Sequence, residues 1–198
     1  MWIRGGYTGT GNVDDILGSL EGKTAIVAGN AEGVFEEIVG VVSKLEENPP
    51  VIFAVNDVGM FLPHVDHWVT IHLQYFPQWI AVRAAHDRPP AKTHSINYGV
   101  GIDYAWCQVN PIFVLSGYFA AQLAYLMGCE RIVLCGCPGS PARRFFDLKP
   151  RAFGYGGGDS PVDPITQKMV VDEFERVPEF KAKVRSMSGW SRGFFGAP

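Results

Sequence analysis

The chain reads as one α/β domain in three layers, a mostly parallel sheet with helices on both faces. Three observations predict this. Short apolar runs recur at Thr24–Ala28, Val51–Val55, 67–71 and Arg131–Cys135. They are continuous rather than alternating, as strands covered on both faces are. Segments of helical periodicity separate them, the pattern of βαβ units. No internal repeat and no linker divides the 198 residues, so 1–198 is expected to form a single domain.

Each element follows from its residues. The glycine-rich N-terminal stretch holds one short helical turn at 14–17. After the first strand, 32–46 has Val34, Ile38, Val41, Val42 and Leu45 at helical spacing, and Pro49-Pro50 stops it. The second strand ends in Asn56-Asp57, and a short helix is expected over 58–62. In D-H-W-V-T-I-H, Asp66, Trp68, Thr70 and His72 share one face. Phe76–Ala85 is a helix closed by Arg88-Pro89-Pro90. A short strand near 95–98 follows. The segment 116–127 is a small-residue helix capped by Gly128. Residues 138–162 are rich in Gly, Pro and Arg and read as a lid-like loop over the sheet. A helix at 163–176, with Pro164 in its first turn, and a last strand at 183–187 complete the chain.

Composition narrows the function. Hydrophobic residues make up 47%, charged residues 19%, and the net charge is −3. A slightly acidic surface gives no global attraction for nucleic acid. No apolar run reaches the roughly 18 residues of a membrane span. The N-terminus lacks the apolar core of a signal peptide. A cytoplasmic protein is expected, and a homo-oligomer is compatible with this composition. Cys107, Cys129, Cys135 and Cys137 lack C-x2-C zinc spacing and read as buried thiols, with Cys135 and Cys137 on one face.

In an open parallel sheet, ligands bind beyond the carboxyl ends of the strands. Those ends carry Gly29-Asn30, Asn56-Asp57, His72 and Gly136-Cys137-Pro138. The Gly29-Asn30 turn stands where a dinucleotide-binding chain carries G-x-G-x-x-G, and that spacing is absent. Two asparagine amides can read a base or ribose through paired donors and acceptors. Ser116-Gly117-Tyr118 opens a helix whose backbone N–H groups suit a phosphate. One nucleotide held partly by side chains is the expectation. The plainer readings are turn formation by the asparagines and helix capping by Ser116. Arg143, Arg144 and Arg151 are solvated loop charges or phosphate ligands. Tyr118 and Trp190 are candidates to wall a pocket. His64, His67 and His72 do not all converge, which argues against a metal cage. His86 and His94 read as loop residues, leaving His72 at the productive end.

Four blocks carry a resemblance: AIVAGNAEGVFEEI, VIFAVNDVGMFLPHVDHWVTIH, LSGYFAAQLAYLMGCERIVLCGCP and KVRSMSGWSRGFFG. In order and spacing they resemble the small bacterial sialyltransferases that use CMP-sialic acid. They are also similar to the wider Rossmann-like group containing 6-hydroxymethylpterin diphosphokinase, and to uncharacterised proteins of tailed phages and their hosts. The resemblance implies a Rossmann-like fold and nucleotide contact at Gly29, Asn30, Asn56, Ser116 and Gly117. It implies a nucleotide or nucleotide-sugar donor and glycosyl or related group transfer. The sialyltransferases take their base from a lid histidine, and this chain has none beyond His94. Tyr155 is the nearest counterpart of their phosphate-holding tyrosines. The diphosphokinase-like relatives end the third strand in an aspartate suited to Mg2+, where this chain has His72. Three readings follow. One is a transferase with His72, Asp57 or Asp147 as general base, Asp159 being a further loop carboxylate. The second is an enzyme using ATP and Mg2+, with Asp57 and Asp103 as metal ligands. The third is a binder without chemistry.

Overall fold

A computed structural model describes residues 11–45, 49–107, 115–140, 142, 144–145 and 164–198. Seven strands form one sheet in the order β5-β4-β3-β2-β1-β6-β7, and every pairing is parallel. They are β1 (Thr24–Ala28), β2 (Val51–Val55), β3 (His67–Val69), β4 (Lys92–Ser95), β5 (Tyr104–Ala105), β6 (Arg131–Cys135) and β7 (Val184–Ser186). The helices are α1 (Val34–Val42), α2 (Phe76–Ala85), α3 (Ser116–Leu126), α4 (Pro164–Arg176), α5 (Pro178–Lys183) and α6 (Gly189–Phe195).

The alternation along each strand sorts the core into two layers. Ile26, Ala28, Ala54, Trp68 and Val133 pack under α1 and α2. Ala25, Val27, Phe53, Val69, Ile132 and Leu134 pack under α3, α4, α5 and α6. This is a three-layer Rossmann-like arrangement, as the continuous apolar strands predict. From β1 the chain steps outward through β2, β3, β4 and β5, then crosses back to β6 on the other side of β1. The strand order therefore reverses between β1 and β6, the place where open parallel sheets carry their ligand crevice, beyond the carboxyl ends.

Several expectations are corrected. Helix α1 starts at Val34 rather than 32, because Gly33 at its N-cap has φ 84° and Ala31 pairs with Arg144. Val42 is 42% exposed, not inward. The expected strand at 95–98 lies earlier, at Lys92–Ser95, and Tyr104–Ala105 adds an edge strand. Polar β4 escapes an apolar search because Thr93 and His94 find partners inside. Asp103 Oδ2 accepts from both the backbone N–H and the hydroxyl of Thr93, each at 2.9 Å. Cys135 and Cys137 do not share a face. Cys135 joins the α1–α2 layer and Cys137 packs against the other, because Gly136 turns the chain at φ 63°. Cys107 is exposed, while burial pushes the Cys129 and Cys137 thiols up to about 12. Helices α5 and α6 are additions; each is too short to show periodicity.

His94 is not a loop residue. It is fully buried on β4, beside His67 of β3. The Trp106 indole N–H donates to His94 Nδ1 at 3.2 Å, and His94 Nε2 lies 2.9 Å from His67 Nδ1. The indole can only donate, so His94 carries its proton on Nε2 and gives it to His67. His67 stacks on Phe53 and His94 on Tyr104, with ring centroids 4.6 and 5.1 Å apart.

A protonated His94 would turn an N–H against the Trp106 N–H. Burial, then Lys92, lowers His67 to about 4, while Asp66 opposes this; burial, then His67 and Lys92, holds His94 well below its ordinary value. A lowered histidine pKa stabilises the fold above the unfolded value of 6.5 and loses that contribution as pH falls through the folded value. Stability should therefore decline as pH falls from about 6.5 towards 4. Urea midpoints across that range check it, and the decline should flatten in His67→Gln.

Candidate functional site

The crevice is built on an unusually close approach. Gly29 N–H donates to Cys135 O at 2.7 Å, and Ala31 N–H donates to Gly136 O at 3.1 Å. The ends of β1 and β6 are thus laced beyond the strands themselves. A Cβ on Gly29 would overlap Gly136 O and sit 2.6 Å from Cys137 Sγ; one on Gly136 would sit 2.7 Å from Val34 Cβ. Gly29 is therefore a packing requirement. A Cβ on Gly117 would be 3.1 Å from the same Cys137 Sγ, which places the start of α3 against this junction.

The β6 turn is held from both helix layers. Glu37 Oε2 of α1 accepts the Gly136 N–H at 2.7 Å. Ser191 of α6 donates its hydroxyl to Cys137 O at 2.8 Å and its N–H to Pro138 O at 2.9 Å. Tyr118 OH lies 2.9 Å from that hydroxyl, and Gln167 Nε2 donates to Gly139 O at 2.8 Å. Burial raises the Tyr118 pKa, opposed by Ser191. Tyr118 is only 3% exposed, so its hydroxyl serves this clasp rather than the wall of an open pocket.

On the other side of Gly29, four expected residues converge. Asn30 Nδ2 donates to Asp57 Oδ1 at 3.2 Å. Arg144 lies within electrostatic reach of both Asp57 and His72. It is brought there by the antiparallel bridge Ala31↔Arg144 and by the Phe145 N–H donating to Asn30 O at 3.0 Å. Phe145 is seated edge-on against Phe35 and Phe61, at 5.1 and 5.2 Å. Arg143, Arg151, Asp147, Tyr155 and Asp159 lie outside the described residues.

Asn56 occupies the left-handed region at φ 55°. Its backbone O accepts the Trp68 indole N–H at 2.6 Å, and its Oδ1 accepts the Thr70 hydroxyl at 2.9 Å. The Thr70 Oγ1 in turn accepts the His72 N–H at 2.9 Å. That bond ends β3 at Val69 rather than 71, because His72 gives its N–H to a side chain instead of to β4. One hydroxyl thus ties two sequence-predicted residues together. Among the described residues, Asn30 Oδ1 and Asn56 Nδ2 make no hydrogen bond with protein, leaving one acceptor and one donor at adjacent strand ends.

The low dielectric moves the two titratable groups towards neutrality. Burial raises Asp57, opposed by the Asn30 hydrogen bond and by Arg144. Burial lowers His72, helped by Arg144. A half-buried neutral imidazole beside a guanidinium can accept a proton while the cation faces an anion. At the far wall, Leu115 stands at the N-cap of α3 and offers no side-chain cap. The first N–H groups of α3, from Ser116 and Gly117 onward, are suited to an anion. Ser116 is buried and Gly117 half-buried.

The proposed pairing of Asp57 with Asp103 as metal ligands is not met. Asp57 follows the carboxyl end of β2, whereas Asp103 precedes β5, three strands away. Strand spacing alone separates them by roughly 14 Å. No cluster of three or more metal-ligating side chains occurs among the described residues. Among the residues sequence reasoning missed, Thr70 was on the right face, but its link to Asn56 depends on the positive φ there. Glu37 and Ser191 carry no local signal, since each bonds a turn far away in sequence.

A solved structure of the sialyltransferase CstII from Campylobacter jejuni, in complex with the substrate analogue cytidine-5'-monophosphate, is similar to this chain. It superposes with a TM-score of 0.63 over 89% of this chain and 85% of that one, at 14% identity. This establishes a shared sialyltransferase-like fold. It gives no support to phage or diphosphokinase membership. No protein-family model and no curated protein matches the chain. No helix among the described residues is long and apolar enough to cross a membrane.

Asp57→Asn isolates the burial effect. A raised carboxyl pKa means that ionisation costs the folded state stability as pH rises above the unfolded value of 3.8. The amide keeps an oxygen for Asn30 and removes the charge. Ligand-free Tm should rise at pH 7, and the gain should shrink as pH approaches about 4. Thermal melts at both ends check it; a lower Tm at pH 7 would mean that the Arg144 attraction outweighs burial.

Proposed function

We propose that this chain binds a nucleotide or nucleotide-sugar donor at the strand ends and transfers its glycosyl group to a hydroxyl acceptor. The observation that carries the reading is the convergence of Asn30, Asp57, His72 and Arg144 beside the β1–β6 reversal. The fold shared with a CMP-complexed sialyltransferase supports it. Asn30 Oδ1 and Asn56 Nδ2 face a base or ribose as acceptor and donor. The donor phosphate lies between Arg144 and the start of α3, at Ser116 and Gly117.

His72 is the general base of this proposal. Its imidazole takes the acceptor hydroxyl's proton as that oxygen bonds to the anomeric carbon. The bond from that carbon to the phosphate oxygen breaks, and the phosphate keeps the electron pair. Arg144 and the α3 N–H groups meet the charge that grows there. Asp57 holds the Asn30 amide and balances Arg144. No step uses a metal ion.

Two outcomes test this. Asn30→Ala should weaken binding of the recognised nucleotide by roughly 1–3 kcal/mol, about 5- to 150-fold in Kd. Titration of the parent and variant with CMP, UDP and ATP, with and without Mg2+, measures it; binding of ATP only with Mg2+ would overturn the nucleotide-sugar reading. His72→Gln keeps size and hydrogen bonding but removes the base, so kcat should fall by about 10²–10⁴-fold with donor Kd unchanged. Because burial and Arg144 lower the His72 pKa from 6.5, the parent should stay active at pH 6.5 and lose kcat only at lower pH. A kcat within about tenfold of the parent would remove His72 as the base.

A further inference from the structure

The helix layer under α1 and α2 contains a residue that the proposed chemistry does not use. Arg83 of α2 is 3% exposed, and no ion pair with a carboxylate reaches it among the described residues. Arginine is almost never fully buried without a partner, because the charge loses its hydration. Here the partners are carbonyls. Arg83 Nη1 donates to Gly59 O at 2.7 Å and to Leu62 O at 2.8 Å, and Nε donates to Pro89 O at 2.7 Å. Among the described residues Nη2 finds no acceptor.

The Gly59 and Leu62 carbonyls belong to the segment that begins with Asn56 and Asp57, and Pro89 O lies beyond the end of α2. The 3-10 turn Asn56–Met60 is held at its first residue by Trp68, whose indole N–H donates to Asn56 O. The Arg83 guanidinium lies 5.9 Å from the centre of that same Trp68 ring. Arg88 adds a bond from Nη1 to Met60 O at 2.7 Å. The turn is thus gripped at its start through Trp68 and at its end by the guanidinium fork. An apolar side chain of equal volume would fill the space and strand two carbonyls in the core, and the turn would have to move to satisfy them.

We infer that Arg83 is a positioning residue that holds the Asn56–Asp57 turn in its ligand-ready shape. Its consequence for nucleotide binding rests on the function proposed above. Its effect on the turn does not.

Arg83→Met removes the fork, and Arg83→Lys keeps the charge but not the planar geometry that spans several carbonyls. Phe180→Leu, in the opposite layer on α5, serves as a control of comparable destabilisation. The first readout is hydrogen exchange at the Phe61 and Leu62 amides, which both donate to Val58 O inside the clamp, at 2.9 and 3.2 Å. Both Arg83 variants should exchange there at least tenfold faster than the control, with Arg83→Lys between parent and Arg83→Met. The second readout is Kd for CMP, which should rise at least tenfold in the Arg83 variants and stay at the parent value in Phe180→Leu. Exchange no faster than in the control would overturn the inference, as would faster exchange with unchanged CMP affinity. If Arg83→Met does not fold, Arg83→Lys alone decides. If the parent binds UDP and not CMP, UDP replaces CMP as the probe; if it binds neither, the proposed function fails on that result, and the exchange comparison still decides the role of Arg83.

Discussion

The approach of two strand ends governs the rest of this molecule. Because β1 and β6 continue their hydrogen bonding past Ala28 and Cys135, Gly29 and Gly136 are pressed together with no room for a Cβ. A parallel sheet that reverses its strand order must open a crevice somewhere along its carboxyl edge. The lacing decides how the crevice is lined. With backbone filling the β1–β6 junction, side chains can enter only from the flanks, Asn30 and Asp57 on one side and the start of α3 on the other. A three-glycine loop would bring backbone to a pyrophosphate at this point. Here the backbone is already spent on β6, and asparagine amides stand at the rim instead.

The same burial that shapes the rim sets its protonation. Removing water penalises charge of either sign, so Asp57 rises while His72 falls. Arg144 opposes the first shift and reinforces the second. A guanidinium cannot lose its proton in this range, so it is the one fixed charge among the three. An anionic ligand would compete with Asp57 for it. Under the proposed function, nucleotide binding and the ionisation of Asp57 would be coupled through Arg144.

The fold was legible wherever burial leaves a compositional trace. Strands β1, β2 and β6 are apolar throughout because both faces are covered, and a five-residue run shows it. Strand β4, with Lys92, Thr93, His94 and Ser95, left no such trace, since Thr93 and His94 are satisfied by Asp103, His67 and Trp106, partners no local window contains. The site divides in the same way. Position after a strand end singled out Asn30, Asn56, Asp57 and His72 as candidates. It did not reveal that Tyr118 is absorbed by Ser191, or that Arg144 reaches the site through a bridge to Ala31. Such pairings are set by tertiary contact, and residue type alone does not encode them.

Strand β3 links the two polar systems and shows why one short strand bears so much. His67 and Val69 face the α3 layer, where His67 enters the buried histidine pair; Trp68 and Thr70 face the α2 layer, where both hold Asn56. The ladder joins the faces, since Thr70 N–H donates to His94 O at 3.0 Å. Protonating the histidine pair would therefore strain the strand from one side while the Asn56–Thr70–His72 chain hangs from the other. Acid would then weaken the protein in two separable ways. Above the pH at which the histidine pair charges, the proposed function would be lost through His72 alone, while β3 still holds its shape. Below it, β3 itself gives way, and the geometry that presents His72 is lost along with the base. The ordering follows from burial, because the pair lies deeper than His72 and resists protonation more strongly.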